Sequence, residues 1–352
     1  MSAPTTSSNC PDERRDTLAL TYLADVCSLR HAQLIATFGT ASRALHAGFP
    51  AALVRDACAR ADAARGRGER AGLELTTNLD ADYPAALREL EHPPAVLWRV
   101  GVWGTLHGPV VALVGTRRAT SYGERVTRQI ASALARAGAC IVSGMALGID
   151  AAAHTAALEA SGATVAVLGT GADVAYPRAH VSLHRTIASR GLVLSELEPG
   201  ARSNGGSFPR RNRIIAGLAA VTIVVEAPIK SGALLTVNIA DDLGRTIGVV
   251  PGPIDSPQSA GSNRLLQHNV HPIICADDAL TLAGLAPQAR GAPQVDDPTE
   301  IRVWDALRGG ASSFDELCAR AGLPLQQCLA AVTGLELRGA IECALTGEIR
   351  RR

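Results

Sequence analysis

Between residues 110 and 250 the chain carries six short runs that are apolar almost without interruption. They are Val110–Val114, Cys140–Val142, Thr164–Leu168, Leu192–Leu194, Val221–Val225 and Thr246–Val250. A strand with one wet face alternates polar and apolar side chains, whereas one buried on both faces does not. Helix-length segments separate the runs, as at Gly123–Ala137, Ile149–Ser161 and Leu234–Leu243. Parallel neighbours need such crossovers, because a tight turn cannot return the chain to the same end of the sheet. The pattern predicts an α/β fold, a doubly wound parallel sheet covered by helices on both faces.

The flanks are built differently. Residues 1–15 are polar and predict a disordered tail. Residues 16–75 show helical spacing (Leu18, Tyr22, Leu23 and Val26; Leu34, Ile35 and Phe38), broken at Gly39 and at Gly48–Phe49–Pro50, and predict a small helical domain. The sheet domain then spans 76–285. A Pro/Gly/Ala-rich linker is expected at 286–297, followed over 298–352 by three helices (near Arg302–Leu307, Phe314–Ala321 and Leu325–Arg338) and a hairpin within Ala340–Ile349. Three helices and a hairpin predict a winged-helix module.

Several classes of function are disfavoured at once. The polar start has no secretory core, and the apolar run Ile214–Val225 is shorter than the ~20 residues a membrane span requires, so no membrane partner is expected. Eight cysteines without a C-x-x-C pair argue for buried thiols in a reducing compartment rather than a zinc site or a disulfide framework, and predict a cytoplasmic protein with no metal. The net charge of +1 says little, since a local basic patch hides inside a balanced total.

In an open parallel sheet, ligands sit at the carboxyl ends of the strands. The loop after the first run, Gly115-Thr116-Arg117-Arg118-Ala119-Thr120, offers backbone N–H groups, hydroxyls and guanidinium groups to a phosphate. After the second run comes Ser143-Gly144-Met145-Ala146-Leu147-Gly148-Ile149-Asp150, where Asp150 suits a helix cap and His154 a packing role. The third loop begins Gly169-Thr170-Gly171, but Tyr176–Pro177 prevents the long helix that would receive a pyrophosphate. Glu196 lies where a ribose-binding acid could, yet the rest of a dinucleotide fingerprint is missing, so no cofactor is expected.

Residues 206–217 read GSFPRRNRIIAG. Arg210, Arg211 and Arg213 at a helix N-terminus oppose the macrodipole and one another, which makes sense where a polyanion neutralises them. Aromatics are only 3% of the chain, so Phe208 in a polar stretch carries weight. It suits a stacking platform for a base, as in proteins that hold single strands without reading sequence. It equally suits a ring that packs inward while the arginines face solvent. Lys230, the only lysine, precedes Ser231 and Gly232 at another strand-to-helix turn, as in half of a phosphate loop.

Taken together, VGTRRATSYG (114–123), SGMALGIDAAAH (143–154), GTGADVAYPRAH (169–180), GSFPRRNRIIAG (206–217), KSGALLTVNIADDLGR (230–245) and VPGPIDSPQSAGSNRLLQ (250–267) resemble the DNA-processing protein A family (DprA, also called Smf) in content and order. The resemblance covers most of residues 80–285. It implies a Rossmann-like core and a non-catalytic, single-stranded-DNA-binding mediator that protects incoming DNA and loads RecA onto it in natural transformation. The implied partners are single-stranded DNA, RecA, a second copy of the chain and single-strand-binding protein. It also implies DNA contacts from Arg117, Phe208, Arg211, Asn212 and Lys230.

The full expected site adds Gly115, Thr116, Ser143, Gly144, Gly169, Arg210, Arg213, Ser231 and Gly232. The N-terminal helices resemble a sterile-alpha-motif or helix-hairpin-helix domain, without the Gly-x-Gly that grips a phosphate. The third helix of the terminal module offers Arg338 and few other cations, which favours a protein-interaction or structural role. The competing expectation is a nucleotide- or nucleoside-phosphate-processing enzyme on the same fold, which would need a general base or a metal pair among Asp150, Asp173, Glu196, Glu226 and Asp255.

Overall fold

The computed structural model describes residues 11–23, 28–203, 205–286, 297–310, 312–337, 339–344 and 347–351. It divides into two units, Met1–Pro287 and Gln288–Arg352.

In the first unit, α1 (Pro11–Thr21), α2 (Ser28–Phe38), α3 (Ala41–Gly48) and α4 (Ala51–Arg70) precede β1 (Glu74–Thr77), α5 (Ala85–Arg88) and β2 (Val96–Gly101). Then follow β3 (Val110–Val114), α6 (Ser121–Arg136), β4 (Cys140–Ser143), α7 (Ile149–Glu159), β5 (Thr164–Leu168), α8 (Val181–Arg190) and β6 (Leu192–Ser195). After these come α9 (Ser207–Leu218), β7 (Val221–Val224), α10 (Gly232–Asp242), β8 (Thr246–Val249), α11 (Ala260–Leu265), β9 (His271–Pro272) and α12 (Ala276–Leu282). Every apolar run is a strand, in one nine-stranded sheet ordered β1-β2-β6-β5-β4-β3-β7-β8-β9. The stretch from β6 to β9 is parallel, and β1 and β2 extend it antiparallel at the β6 edge.

The continuous runs resolve into two buried faces. Ala112, Val114, Val142 and Val224 pack with Ile214 and Ile215 of α9 and Val237 of α10. Val111, Leu113, Ile141 and Ile223 pack with Ile130 of α6 and Ala153 of α7. Because side chains of a strand alternate between faces, a run flanked by helices on both sides must be apolar throughout. The order of strands reverses between β3 and β7, so their carboxyl-end loops flank a topological crevice.

Two details at the amino end depart from expectation. Helix α1 starts at Pro11, inside the stretch expected as a disordered tail; residues 1–10 lie outside the described residues. Glu13 accepts from the amides of Ala41 and Ser42, and Arg14 pairs with the buried Asp80 at 2.9 Å, which ties α1 down. The amino-terminal helices also share a core with the sheet: Leu18, Leu20, Ala57 and Ala61 cluster with Trp98 of β2 and Leu168 of β5.

The second unit contains α13 (Pro298–Ala306), β10 (Ser312–Ser313), α14 (Phe314–Ala321), α15 (Leu325–Leu337), β11 (Ile341–Cys343) and β12 (Glu348–Arg351), with strands ordered β10-β12-β11. Val303, Leu317, Cys328 and Leu335 form its core. Asp297 caps α13, accepting from the amides of Thr299 and Glu300. Most of the expected linker, and Arg338, lie outside the described residues. Among the described residues no helix is long and apolar enough to cross a membrane.

Candidate nucleic-acid interface

The loop after β3 is held from below. Glu226, at the end of β7 and 1% exposed, accepts from the amide of Thr120 at 2.9 Å and from its hydroxyl at 2.5 Å, while its own carbonyl accepts from the amide of Thr116 at 2.7 Å. A side chain at Gly115 would put Cβ 2.5 Å from Ile149 and 2.8 Å from the Glu226 carbonyl, so only glycine fits. Thr120 then caps α6 by accepting from the amide of Gly123. The braced loop leaves Arg117 and Arg118 exposed at its tip.

The loop after β4 is built around a buried carboxylate. Asp150 accepts from the amides of Gly144 (3.2 Å) and Ala146 (3.3 Å), on either side of Met145, whose φ is 57°. Instead of capping its own helix, where Gly148 occupies the cap position, Asp150 ties the preceding loop together. Burial raises its pKa, and the charge of Arg211 opposes that shift. His154 is fully buried with Nδ1 2.7 Å from the Thr164 hydroxyl; burial lowers its pKa to about 3, as suits a packed, neutral ring. Ser143 is also fully buried and donates to the Leu113 carbonyl at 2.6 Å. It holds β4 to β3 and lines neither of the two recesses described below.

Helix α9 presents different arginines to different sides, because residues three and four apart share a face and residues two apart do not. Phe208, Arg211 and Asn212 face the loops of β3, β4 and β7. Arg211 is buried, and Nη1 donates to the carbonyls of Gly144 (2.6 Å) and Val167. Burial, the largest influence, lowers its pKa to about 10 against the opposing pull of Asp150. A Cβ at Gly144 would lie 2.1 Å from Nη1, so that glycine gives the guanidinium its seat. Asn212 Nδ2 donates to the Gly232 carbonyl at 3.2 Å and joins α9 to the start of α10. Ser231 caps α10, and Lys230 beside it is exposed.

Phe208 is half-buried. Its ring rests on Gly169, where a Cβ would come within 2.9 Å of it. The Tyr176 ring lies 5.4 Å away at 39°, and the guanidinium carbon of Arg117 is 5.1 Å from the Phe208 centroid. Tyr176, 42% exposed, was missed by the sequence reading, although an aromatic in a polar loop of so aromatic-poor a chain was the available signal.

One cleft of about 400 Å³ brings together Gly115, Thr116, Arg117, Phe208, Arg211, Asn212, Lys230, Ser231 and Gly232. A smaller recess of about 70 Å³ adjoins it, walled by Arg117, Gly144, Gly169, Tyr176, Phe208 and Arg211. The exposed charges at the cleft are cationic, from Arg117, Arg118 and Lys230, while its carboxylate Asp150 is buried.

Besides Ser143, two more of the expected site residues lie elsewhere. Arg213 Nη2 contacts both oxygens of Glu196, at 2.6 and 2.7 Å, and Arg210 reaches the same carboxylate at 3.4 Å. Both line a different cavity, on the side of α9 that faces α1 and β2.

Four of the five acids that an enzymatic mechanism would call on are otherwise engaged: Asp150 and Glu226 hold loops, Glu196 pairs with arginines, and Asp173 accepts from the amide of Gly200, while Asp255 is exposed. Among the described residues no three His, Cys, Asp or Glu side chains are grouped to hold a metal ion.

A family model described as DNA recombination-mediator protein A matches residues 74–284, and one described as the DprA winged helix domain matches residues 287–344. Protein Smf of Escherichia coli is 34% identical over 285 residues, spanning 77% of this chain and 75% of its own length. The X-ray structure of DNA processing protein A from Streptococcus pneumoniae superposes with a TM-score of 0.69 at 32% identity, covering 76% of this chain and 97% of that one. A Helicobacter pylori DNA processing protein A, whose structure is described as giving insight into its single-stranded DNA binding mode, has a TM-score of 0.55 at 34% identity over 60% of this chain and 96% of its own. With a crevice between β3 and β7, a matching core and a matching winged-helix module, the chain belongs to the DNA recombination-mediator protein A family.

Proposed function

We propose that the protein binds single-stranded DNA in the cleft between the β3, β4 and β7 loops and α9, and hands that strand to RecA. The observation that carries the binding is the placement of a half-buried ring, Phe208, among exposed Arg117 and Lys230 at the carboxyl edge of the sheet. Cations at that edge attract the phosphate backbone without regard to sequence, and a ring supplies ~1–3 kcal/mol per stacked base. The site residues on this reading are Gly115, Thr116, Arg117, Phe208, Asn212, Lys230, Ser231 and Gly232, with Gly144, Gly169 and Arg211 as its frame.

The wider role is that of a cytoplasmic, non-catalytic mediator of natural transformation. It acts as a homodimer that protects incoming strands and displaces single-strand-binding protein as RecA loads. Membership of a recombination-mediator family supports this role, as does the single-strand binding described for the Helicobacter pylori relative.

Fluorescence anisotropy with labelled single-stranded and duplex oligonucleotides over a salt series tests the binding. The expected result is single-strand preference with log K falling linearly in log salt. Equal affinity for duplex, or no single-strand affinity at low salt, would overturn it. Faster RecA filament growth on strands coated with single-strand-binding protein tests the mediator step.

A further inference from the structure

Arg99, Arg128, Arg213 and Arg245 of the sheet domain are each paired with a carboxylate. Arg178 and Arg202 are exposed, and among the described residues neither is paired with one. They stand in the loops that follow β5 and β6, the strands beyond β4 in the sheet order. β5 runs parallel to both β4 and β6, so these loops leave the sheet at its carboxyl edge, as the loops of the cleft do. Four strand spacings of ~4.8 Å separate β7, which leads to Lys230, from β6, about 19 Å along that edge.

Hydrogen bonds join the two loops into one surface. The amide of Gly171 donates to the Ala201 carbonyl at 2.8 Å, and the amide of Gly200 donates to the Asp173 carboxylate at 2.9 Å. The acids of this surface are held: Asp173 by that amide, Glu196 by Arg210 and Arg213, and Glu198 by Arg67 at 2.6 Å. Arg178 and Arg202 come in addition to the arginines that hold these acids, so the surface is cationic and attracts anions. It is also continuous with the cleft. Gly169 of the β5 loop carries the Phe208 ring, and the exposed Tyr176 ring lies 5.4 Å from it, two residues before Arg178.

We propose that the bound single strand runs on past the cleft, over the loops after β5 and β6, with Arg178 and Arg202 as its next phosphate contacts. Guanidinium groups at a surface read backbone charge and not base identity, so the extension adds affinity for long strands without sequence preference. The proposal rests on the single-strand reading of the cleft.

Anisotropy titration of the full chain with a short (about 4-nucleotide) and a long (about 20-nucleotide) oligothymidylate over a salt series tests it. Each phosphate contact on a single strand adds ~0.7 to the salt slope, so the slope of the unaltered chain should grow with strand length. In the double variant Arg178→Ala/Arg202→Ala that growth should shrink by ~1.4, and the long strand should bind more weakly at low salt. Both side chains are exposed, so an unchanged urea midpoint shows that the variant is folded. If the double variant keeps the full slope on the long strand while Lys230→Ala lowers it, the track ends at the cleft: the proposal fails and the cleft reading stands. If the unaltered chain binds no single strand, both fall.

Discussion

The guanidinium carbon of Arg117 stands 5.1 Å from the centroid of the Phe208 ring, joining the loop after β3 to the first turn of α9. A cation over an exposed ring contributes ~0.5–1 kcal/mol. A base that entered between them would exchange that contact for stacking on both planes. On the proposed single-strand reading, the pair would divide the work between charge and stacking.

That division is measurable. Phe208→Ala should weaken single-strand binding about 5- to 160-fold, matching ~1–3 kcal/mol of stacking, and leave the salt slope unchanged. Lys230→Ala should lower the slope by ~0.7 and weaken all sequences alike. Anisotropy titrations at several salt concentrations give both quantities. A salt slope that falls in Phe208→Ala would contradict the assignment.

Gly169→Ala isolates the seat of the ring. Its Cβ would lie 2.9 Å from Phe208, so the ring must move. We expect a several-fold loss of single-strand affinity at little cost in urea stability, because the ring is half-buried and free to swing outward. Unaltered affinity would show that the ring's position does not matter.

Arg211 behaves differently from Lys230. The sequence suggested a phosphate contact, but its guanidinium is buried against the carbonyls of Gly144 and Val167. Arg211→Ala leaves those carbonyls unpaired and removes the charge that offsets buried Asp150, so a loss of ~3–5 kcal/mol in urea unfolding is expected. Asp150→Asn in the Arg211→Ala background should recover part of it.

Two buried histidines predict acid lability. Burial lowers the pKa of His154 to about 3 and of His31 to about 4, from an ordinary 6.5. Below pH 6.5 the unfolded chain takes up these protons and the native state does not, so stability falls as pH falls. The loss approaches ~1.4 kcal/mol per pH unit for each ring until the native pKa is reached. The raised pKa of Asp150 acts in the opposite sense in acid. His154→Leu should make urea midpoints between pH 7.5 and 5 less steep in pH; an unchanged profile would mean that His154 is not held neutral.

The winged-helix module should add nothing to strand affinity. The exposed side of α15 carries Leu325, Leu329 and Leu337, and no described side chain of this helix is cationic. A chain ending at residue 286 is expected to match the full chain in anisotropy at every salt concentration. A smaller salt slope in the shortened chain would place phosphate contacts in the module.

The sheet was legible because its cause is local: a strand covered by helices on both faces must be apolar at every position, and the runs at 110–114 and 221–224 say so directly. The edge strands β1 and β9 left no such mark, since a strand at a sheet edge need not be apolar throughout and Glu74–Thr77 reads as a polar connection. β2, paired on both sides and buried on both faces at Val96–Trp98, directly follows Pro93–Pro94 and reads as part of that connection. The sequence placed the arginines of GSFPRRNRIIAG on one helix and the glycine loops at strand ends. What it could not settle was which way each side chain points. Helical rotation turns Arg210 and Arg213 to Glu196 and leaves Phe208 beside Arg117; burial converts Arg211 from a contact into a frame. Local pattern thus determined the elements and their order. Which charges meet solvent and which meet carboxylates or carbonyls depends on groups far apart along the chain, 67 residues for Arg211 and Gly144, and only tertiary packing decided it.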